Sequence, residues 1–125
     1  MEQVQKPWGT YTDYFRSNEC VFKKIEIAPK LAFSFQIHHL RDEIWYIISG
    51  RGTLKMASPG DDPSYNYSIE EVLPGMTIQV PREFAHQLRN IGDEPLVLYE
   101  TQTGECSEED IIRISDDFGR VKEQL

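Results

Sequence analysis

The chain has 125 residues, a formal net charge of −8, 39% hydrophobic residues and two cysteines. That length supports one domain with a real core, and the acidic balance excludes a phosphate-backbone binder, which needs a basic patch. No apolar run approaches a membrane span, residues 1–6 lack an apolar signal core, and Cys20 and Cys106 are too few for a disulfide scaffold. These features predict a cytoplasmic protein with neither nucleic-acid nor membrane partners.

No linker, repeat or low-complexity tract divides the chain, so residues 1–125 read as one domain with a core at about 6–121. Short β-branched and aromatic runs punctuated by Gly and Pro predict an all-β sandwich or barrel. Strands are predicted at 8–15, 21–28, 31–38, 43–48 and 53–57. The apolar-poor segment 58–64, with Pro59-Gly60-Asp61-Asp62-Pro63, reads as a loop and a candidate flap. A ragged strand follows at 65–72, then strands at 76–80, 84–90 and 96–103, the last two joined by the turn Gly92-Asp93-Glu94-Pro95. Ser107-Glu108-Glu109-Asp110 is expected to cap one helical turn. A short strand at 111–114 and an acidic tail close the chain.

Two stretches carry the chemistry. Gln36-Ile37-His38-His39-Leu40-Arg41-Asp42-Glu43 holds two of the three histidines, and Pro81-Arg82-Glu83-Phe84-Ala85-His86 ends on the third. Residues two apart on a strand share a face, which puts Ser34, Gln36 and His38 on one side and Phe33, Phe35 and Ile37 on the other. After the turn, Glu43 returns to the Gln36/His38 side, and His86 arrives as a fourth ligand from another strand. Amide oxygen, imidazole and carboxylate suit Zn²⁺, Fe²⁺, Mn²⁺ or a similar divalent ion. His39 replaces His38 as ligand if the turn breaks the alternation. The bland reading is that all three histidines are ordinary polar residues near strand ends.

The spacing weighs against that bland reading. Six residues separate Glu43 from Gly50; five separate Gly75 from Pro81, four Pro81 from His86, and three His86 from Asn90. This resembles the two-part signature of the cupin superfamily, with Gln36 in place of one histidine and Glu83 in place of the inner glycine of the second part. Gln36-x-His38 is similar to the metal site of phosphomannose isomerases. Lys6-Pro7-Trp8-Gly9-Thr10-Tyr11, Phe22-Lys23-Lys24-Ile25-Glu26-Ile27-Ala28-Pro29, Glu100-Thr101-Gln102-Thr103-Gly104 and Asp116-Asp117-Phe118-Gly119-Arg120 resemble the cupin domain of type II mannose-6-phosphate isomerases. The resemblance implies a single cupin (double-stranded β-helix, jelly-roll) barrel with a short C-terminal helical turn and tail. It also implies Gln36, His38, Glu43 and His86 as ligands to a divalent metal, zinc first, with Fe, Mn, Ni or Co as alternatives.

The implied activity is an isomerase interconverting mannose 6-phosphate and fructose 6-phosphate. Metal Lewis acidity would polarise a sugar oxygen, and a nearby base would move a proton between carbons. Glu100 is the candidate acid/base, set among apolar neighbours that raise its pKa, with an ion pair to Lys23 or an arginine as the competing reading. Lys23 is a candidate contact to a substrate oxygen or phosphate. Arg41 and Arg82 are candidate phosphate binders at the mouth, with solvated arginines as the bland reading for both. Leu40 and Gln87 stand where the family has a third histidine and an arginine, which favours an alternative: a non-catalytic, regulatory cupin binding a sugar or nucleotide-sugar. Another cupin reaction, an Fe²⁺ oxygenase or an epimerase, is a third option. With no nucleotidyltransferase segment in view, the chain is not expected to make a GDP-sugar.

Assembly is expected too. Phe33, Phe35 and Ile37, with Ile44, Tyr46 and Ile48 on the next strand, form apolar faces opposite the metal side. Such faces need a cover, from the N-terminal strand, a second subunit or both; a symmetric homodimer packed sheet to sheet is the expected one, with a purely intramolecular cover as the bland reading.

Overall fold

The computed structural model describes residues 1–121. Eleven strands appear in chain order: β1 Gln3–Lys6, β2 Gly9–Arg16, β3 Cys20–Ile27, β4 Phe35–Ile37, β5 Arg41–Ser49, β6 Gly52–Ala57, β7 Ser68–Val72, β8 Thr77–Val80, β9 Ala85–Asn90, β10 Leu96–Gly104 and β11 Ile112–Ser115. They form a six-stranded sheet, β1-β2-β3-β10-β5-β8, and a five-stranded sheet, β11-β4-β9-β6-β7, with antiparallel pairing throughout. This is the expected all-β jelly roll.

Strict alternation builds the interior. β3 and β10 read buried–intermediate along their length, so Ile25, Ile27, Leu96 and Leu98 face inward beside Trp45 and Ile47 of β5. Trp45 is fully buried, which alone contributes roughly 2–3 kcal/mol of apolar burial. Phe33 meets both Trp8 and Trp45 edge to face, at 5.9 and 5.8 Å between centroids. No helix among the described residues is long and apolar enough to cross a membrane.

Three expectations change here. β1 was not foreseen; Pro7 and Trp8 form the hairpin turn that pairs it with β2. Phe33 was placed outside with Phe35 and Ile37, yet it packs in the main core. The reason is that β4 pairs only over Phe35–Ile37, so the two-residue alternation does not extend back to Phe33. The helical turn at Ser107–Asp110 is a hydrogen-bonded turn instead: Asp110 N–H donates to Ser107 O at 3.1 Å and Ile111 N–H to Glu109 O at 2.9 Å. The i→i−4 bond of an α-helix is absent from that turn.

The ground for a homodimer narrows accordingly. Phe35 and Ile37 are covered within the chain by Ala57, Ala85 and Ile114, and the Lys55 ammonium lies 4.4 Å above the Phe35 ring. On β5, Tyr46 and Ile48 stay 38% and 50% exposed, so the expectation rests on that outer face alone.

The C-terminal segment is pinned by charge. The buried Asp116 carboxylate accepts from Arg120 Nε at 2.8 Å, from its Nη2 at 3.1 Å and from its backbone N–H at 2.8 Å. Burial works against ionisation, but these contacts outweigh it and hold the Asp116 pKa below its usual value. A depressed folded pKa gives stability that is present above the unfolded pKa and is lost as pH falls through the folded one. Asp116→Asn should therefore cost about 1–2 kcal/mol at pH 7. Urea melts should show its gap from wild type closing progressively below about pH 4. A gap unchanged at acid pH would contradict this reading.

Candidate metal centre

Both sheets supply the centre. Gln36 lies on β4 and faces His86 of β9 in register, His38 follows β4, and Glu43 lies on β5 of the opposite sheet, paired with Val80 and Gln102. His38, Glu43 and His86 are all buried, and one ligand atom from each lies within 4.8 Å of the others. Glu43 Oε2 is 3.4 Å from His38 Nε2, and Glu43 Oε1 is 3.7 Å from His86 Nε2.

Hydrogen bonds fix which ring nitrogen faces the centre. His38 Nδ1–H donates to Asp110 O at 2.6 Å, and His86 Nδ1–H donates to Phe84 O at 3.0 Å. Both Nε2 lone pairs are thereby turned inward. His86 Nε2 is buried without a hydrogen-bond partner, an orphan that costs about 1–3 kcal/mol unless something accepts its lone pair. Gln36 places its amide nitrogen 3.1 Å from His38 Nε2, while its oxygen accepts from Ser34 Oγ at 2.5 Å. A ligating Gln36 needs the amide turned over, which exchanges the two positions and keeps a Ser34 contact. Two neutral imidazoles, a carboxylate and an amide that can present oxygen fit a borderline divalent ion.

The electrostatics agree with that donor set. Burial lowers the His38 pKa to about 4, helped by His86 and Arg41 and opposed by Glu43. Burial also lowers that of His86. Glu43 is held near 2, because His86, His38 and Arg41 outweigh burial. Glu100 goes the other way, to about 8, through burial and the nearby Glu43 charge. Trp45 Nε1–H joins the two carboxyls, 3.1 Å from Glu43 Oε1 and 3.0 Å from Glu100 Oε2, and Gln102 Nε2 donates to Glu100 Oε1 at 2.6 Å. One carboxyl is ionised and its neighbour holds a proton at neutral pH.

A cavity of about 320 Å³ opens on this centre. Lys6, Lys23, Arg41, Arg113 and Arg120 line it, against Glu43, Glu100 and Glu108. Lys23 is buried, 4.3 Å above the Tyr11 ring, with its amine 3.6 Å from Glu108 and 4.0 Å from Asp13. It stands opposite Glu100 in register, but its amine turns to those other carboxylates.

Several predicted site residues are found elsewhere than expected. Arg41 is neither in the turn nor solvated: it opens β5 and is 5% exposed. Its Nε donates to Glu43 Oε2 at 2.9 Å and its Nη2 to His38 Nε2 at 3.1 Å. Arg82 lies outside the cavity lining, exposed and paired with Asp42 at 3.0 Å. His39 is also exposed and bonds Glu83 at 2.8 Å, so it does not reach the centre. Segment 58–64, the candidate flap, borders a separate, smaller cavity with Ile37, Glu83 and Ala85 and is absent from the lining of the cavity at the centre.

Two organising residues escaped the sequence reading. Asp110 accepts from the backbone N–H groups of His39 and Leu40, each at 2.9 Å, while its own carbonyl holds His38. It lies some seventy residues away, and only the fold reveals it. Glu83 occupies the glycine position of the second motif with φ of 74°, a left-handed conformation costing about 1–2 kcal/mol. Its N–H donates to His38 O at 2.8 Å and its carboxylate holds His39, so the strained residue latches the two motifs together.

The comparisons with known proteins can be set against this geometry. The family described as Mannose-6-phosphate isomerase C-terminal matches residues 1–116. The mannose-1-phosphate guanylyltransferase of Escherichia coli K12 is 33% identical over 120 residues, covering 95% of this chain and 23% of that protein. The xanthan biosynthesis protein XanB of Xanthomonas campestris is 32% identical over 123 residues, covering 95% and 24%. The alginate biosynthesis protein AlgA of Pseudomonas aeruginosa is 30% identical over 122 residues, covering 97% and 24%. The chain thus spans about a quarter of the length of these relatives. Among solved structures, the capsular polysaccharide assembling protein CapF of Staphylococcus aureus superposes with a TM-score of 0.76 at 16% identity, covering 88% of this chain and 33% of that one. Oxalate decarboxylase of Lactobacillus farciminis gives 0.73 at 17% identity, covering 90% and 33%. At such identity these two speak for the fold alone.

The relatives correct the expected activity. They are named as a guanylyltransferase and as polysaccharide biosynthesis proteins, not as enzymes interconverting mannose 6-phosphate and fructose 6-phosphate, and that assignment is withdrawn. The geometry makes its own demand on the centre. His86→Ala should lower bound divalent metal at least tenfold after metal loading and gel filtration, read by elemental analysis, while His39→Ala leaves it unchanged. Equal loss from both variants would contradict the assigned ligands. Its sequence, its two-sheet barrel and its matched residues make this chain a cupin domain of the Mannose-6-phosphate isomerase C-terminal family.

Proposed function

We propose that this domain binds a divalent metal ion through Gln36, His38, Glu43 and His86, and that its cavity takes a small sugar phosphate of mannose metabolism. The observation that carries the reading is one cavity with two chemistries: Gln36, His38 and Glu43 of the N/O donor set line it, with His86 behind them, together with five basic side chains of an acidic chain. Zinc is the first choice for two imidazoles and a carboxylate. The free thiols Cys20 and Cys106 suit a reducing, cytoplasmic setting.

Each chain residue has a definite task in this reading. The metal, when bound, supplies Lewis acidity toward a ligand oxygen. Glu43 stays ionised and Glu100 keeps its proton on the carboxyl that Trp45 and Gln102 position, so Glu100 is placed to give or take a proton. Gln102 Oε1 is a buried acceptor without a partner and lines the cavity. A sugar hydroxyl donating to it would relieve that cost. Lys23 and Arg41 supply positive charge for the phosphate, whereas Arg82, outside the lining, has no part.

Calorimetric titration of the zinc-loaded protein tests this reading. Mannose 1-phosphate should bind at least tenfold more tightly than mannose, since several cations face the cavity. Chelation of the metal should remove most of that affinity. Equal binding of mannose and its phosphate, or binding indifferent to chelator, would sink the proposal.

A further inference from the structure

Arg41 stands out once the centre is assembled. Among the described residues it is the cation in direct contact with two of the three His/Glu ligand residues. Its Nε–H points at Glu43 Oε2, 2.9 Å away, and its Nη2–H at His38 Nε2, 3.1 Å away. His38 Nδ1–H is committed to Asp110 O at 2.6 Å, so Nε2 carries the lone pair and the guanidinium must be the donor. The atoms that would ligate a metal are therefore the atoms to which Arg41 donates.

The two uses exclude each other. A lone pair that accepts a short N–H bond is not free for a metal, and a guanidinium at this distance repels a divalent ion. Like charges this close repel far more strongly in a protein interior than in water, and the ion carries twice the charge. Arg41 cannot resolve the conflict by losing its proton. Its remaining side-chain hydrogen bond is the longer one from Nη1 to Ser107 O at 3.4 Å, and the carboxyls of Glu100 and Glu108, on the cavity wall, also act on its charge. Retreat to bulk water is costly to arrange for a side chain 6% exposed. The open space beside it is the cavity it lines together with Lys6, Lys23 and Arg120.

We propose that Arg41 is a displaceable internal cation. It neutralises Glu43 and caps His38 until a divalent ion takes those atoms, and the released guanidinium then becomes a contact for the anionic group of the cavity ligand. Metal and anion binding are thereby coupled: each makes room for, or charge available to, the other. By linkage the coupling is reciprocal, so an anion that draws Arg41 into the cavity tightens the metal by the factor by which the metal tightens the anion. This rests on the metal and anion reading above, and it adds an order to it: the metal site is gated by one side chain of its own barrel.

The experiment uses Co²⁺ as the metal probe and sulfate as the anion probe, with affinity read by calorimetry and by the visible d–d spectrum. In wild type, sulfate should tighten Co²⁺ binding about fivefold or more, within the usual range of coupling between sites. Arg41→Gln removes the competing charge, so it should bind Co²⁺ about tenfold more tightly than wild type without sulfate and show no response to sulfate. Arg41→Lys keeps a cation and should stay near wild type in its sulfate-free affinity. If Arg41→Gln fails to fold by circular dichroism, the wild-type sulfate response alone decides. Wild-type Co²⁺ affinity indifferent to sulfate overturns the proposal, as does weaker or equal Co²⁺ binding by a folded Arg41→Gln. Those results leave the metal site standing, whereas wild type that binds no Co²⁺ at all removes the metal reading together with this one.

Discussion

A carboxylate buried at the centre of a β-barrel is the constraint on which the site depends. Glu43 is 3% exposed, and an unpaired charge at such a place would cost many kcal/mol. The chain meets that cost with two donors: Arg41 bonds one oxygen and Trp45 the other. The neutral imidazoles of His38 and His86 stand within 3.7 Å of the same carboxylate with their Nε2 lone pairs turned inward. Removing either donor leaves buried charge unmatched, so the residues around Glu43 act as a unit. The same carboxylate forces its neighbour: with Glu43 ionised, the buried Glu100 keeps its proton.

The barrel is arranged to hold that cluster from both sides. β5 and β10 pair so that Glu43 lies beside Gln102, and Trp45 beside Glu100. β4 and β9 bring Gln36 against His86 from the facing sheet. Two connections outside the sheets then fix His38. Asp110, in the turn before β11, takes the imidazole and the next two backbone N–H groups. Glu83 takes the His38 carbonyl and the His39 ring. The outer side of the six-stranded sheet carries Tyr14, Phe22 and Tyr99, of which Phe22 and Tyr99 stack at 5.6 Å. These pack on the far face from the centre and take no part in it.

Much of this was legible in the order of residues. Short β-branched and aromatic runs bounded by Gly and Pro marked strands at 21–28 and 96–103. The spacing of Glu43 to Gly50 and of Gly75 through Asn90 marked the barrel and its ligand positions. What escaped has physical reasons. Phe33 sits inside because β4 is only three residues long, and a parity rule holds only while the strand lasts. Arg41 is buried because Glu43, two positions on along the same face of β5, needs a cation, a demand invisible until Glu43 is known to be interior. Asp110 acts across more than seventy residues, where no local pattern reaches. The isomerase assignment went further than fold and ligands permit, since one barrel hosts many chemistries.

X-ray absorption at the metal edge of the zinc-loaded protein examines the central claim most directly. The account expects a shell of nitrogen and oxygen at about 2.0–2.1 Å, with the multiple-scattering signature of two imidazoles and no sulfur. A sulfur shell at about 2.3 Å, which would implicate Cys20 or Cys106, or a spectrum with no imidazole, would contradict it.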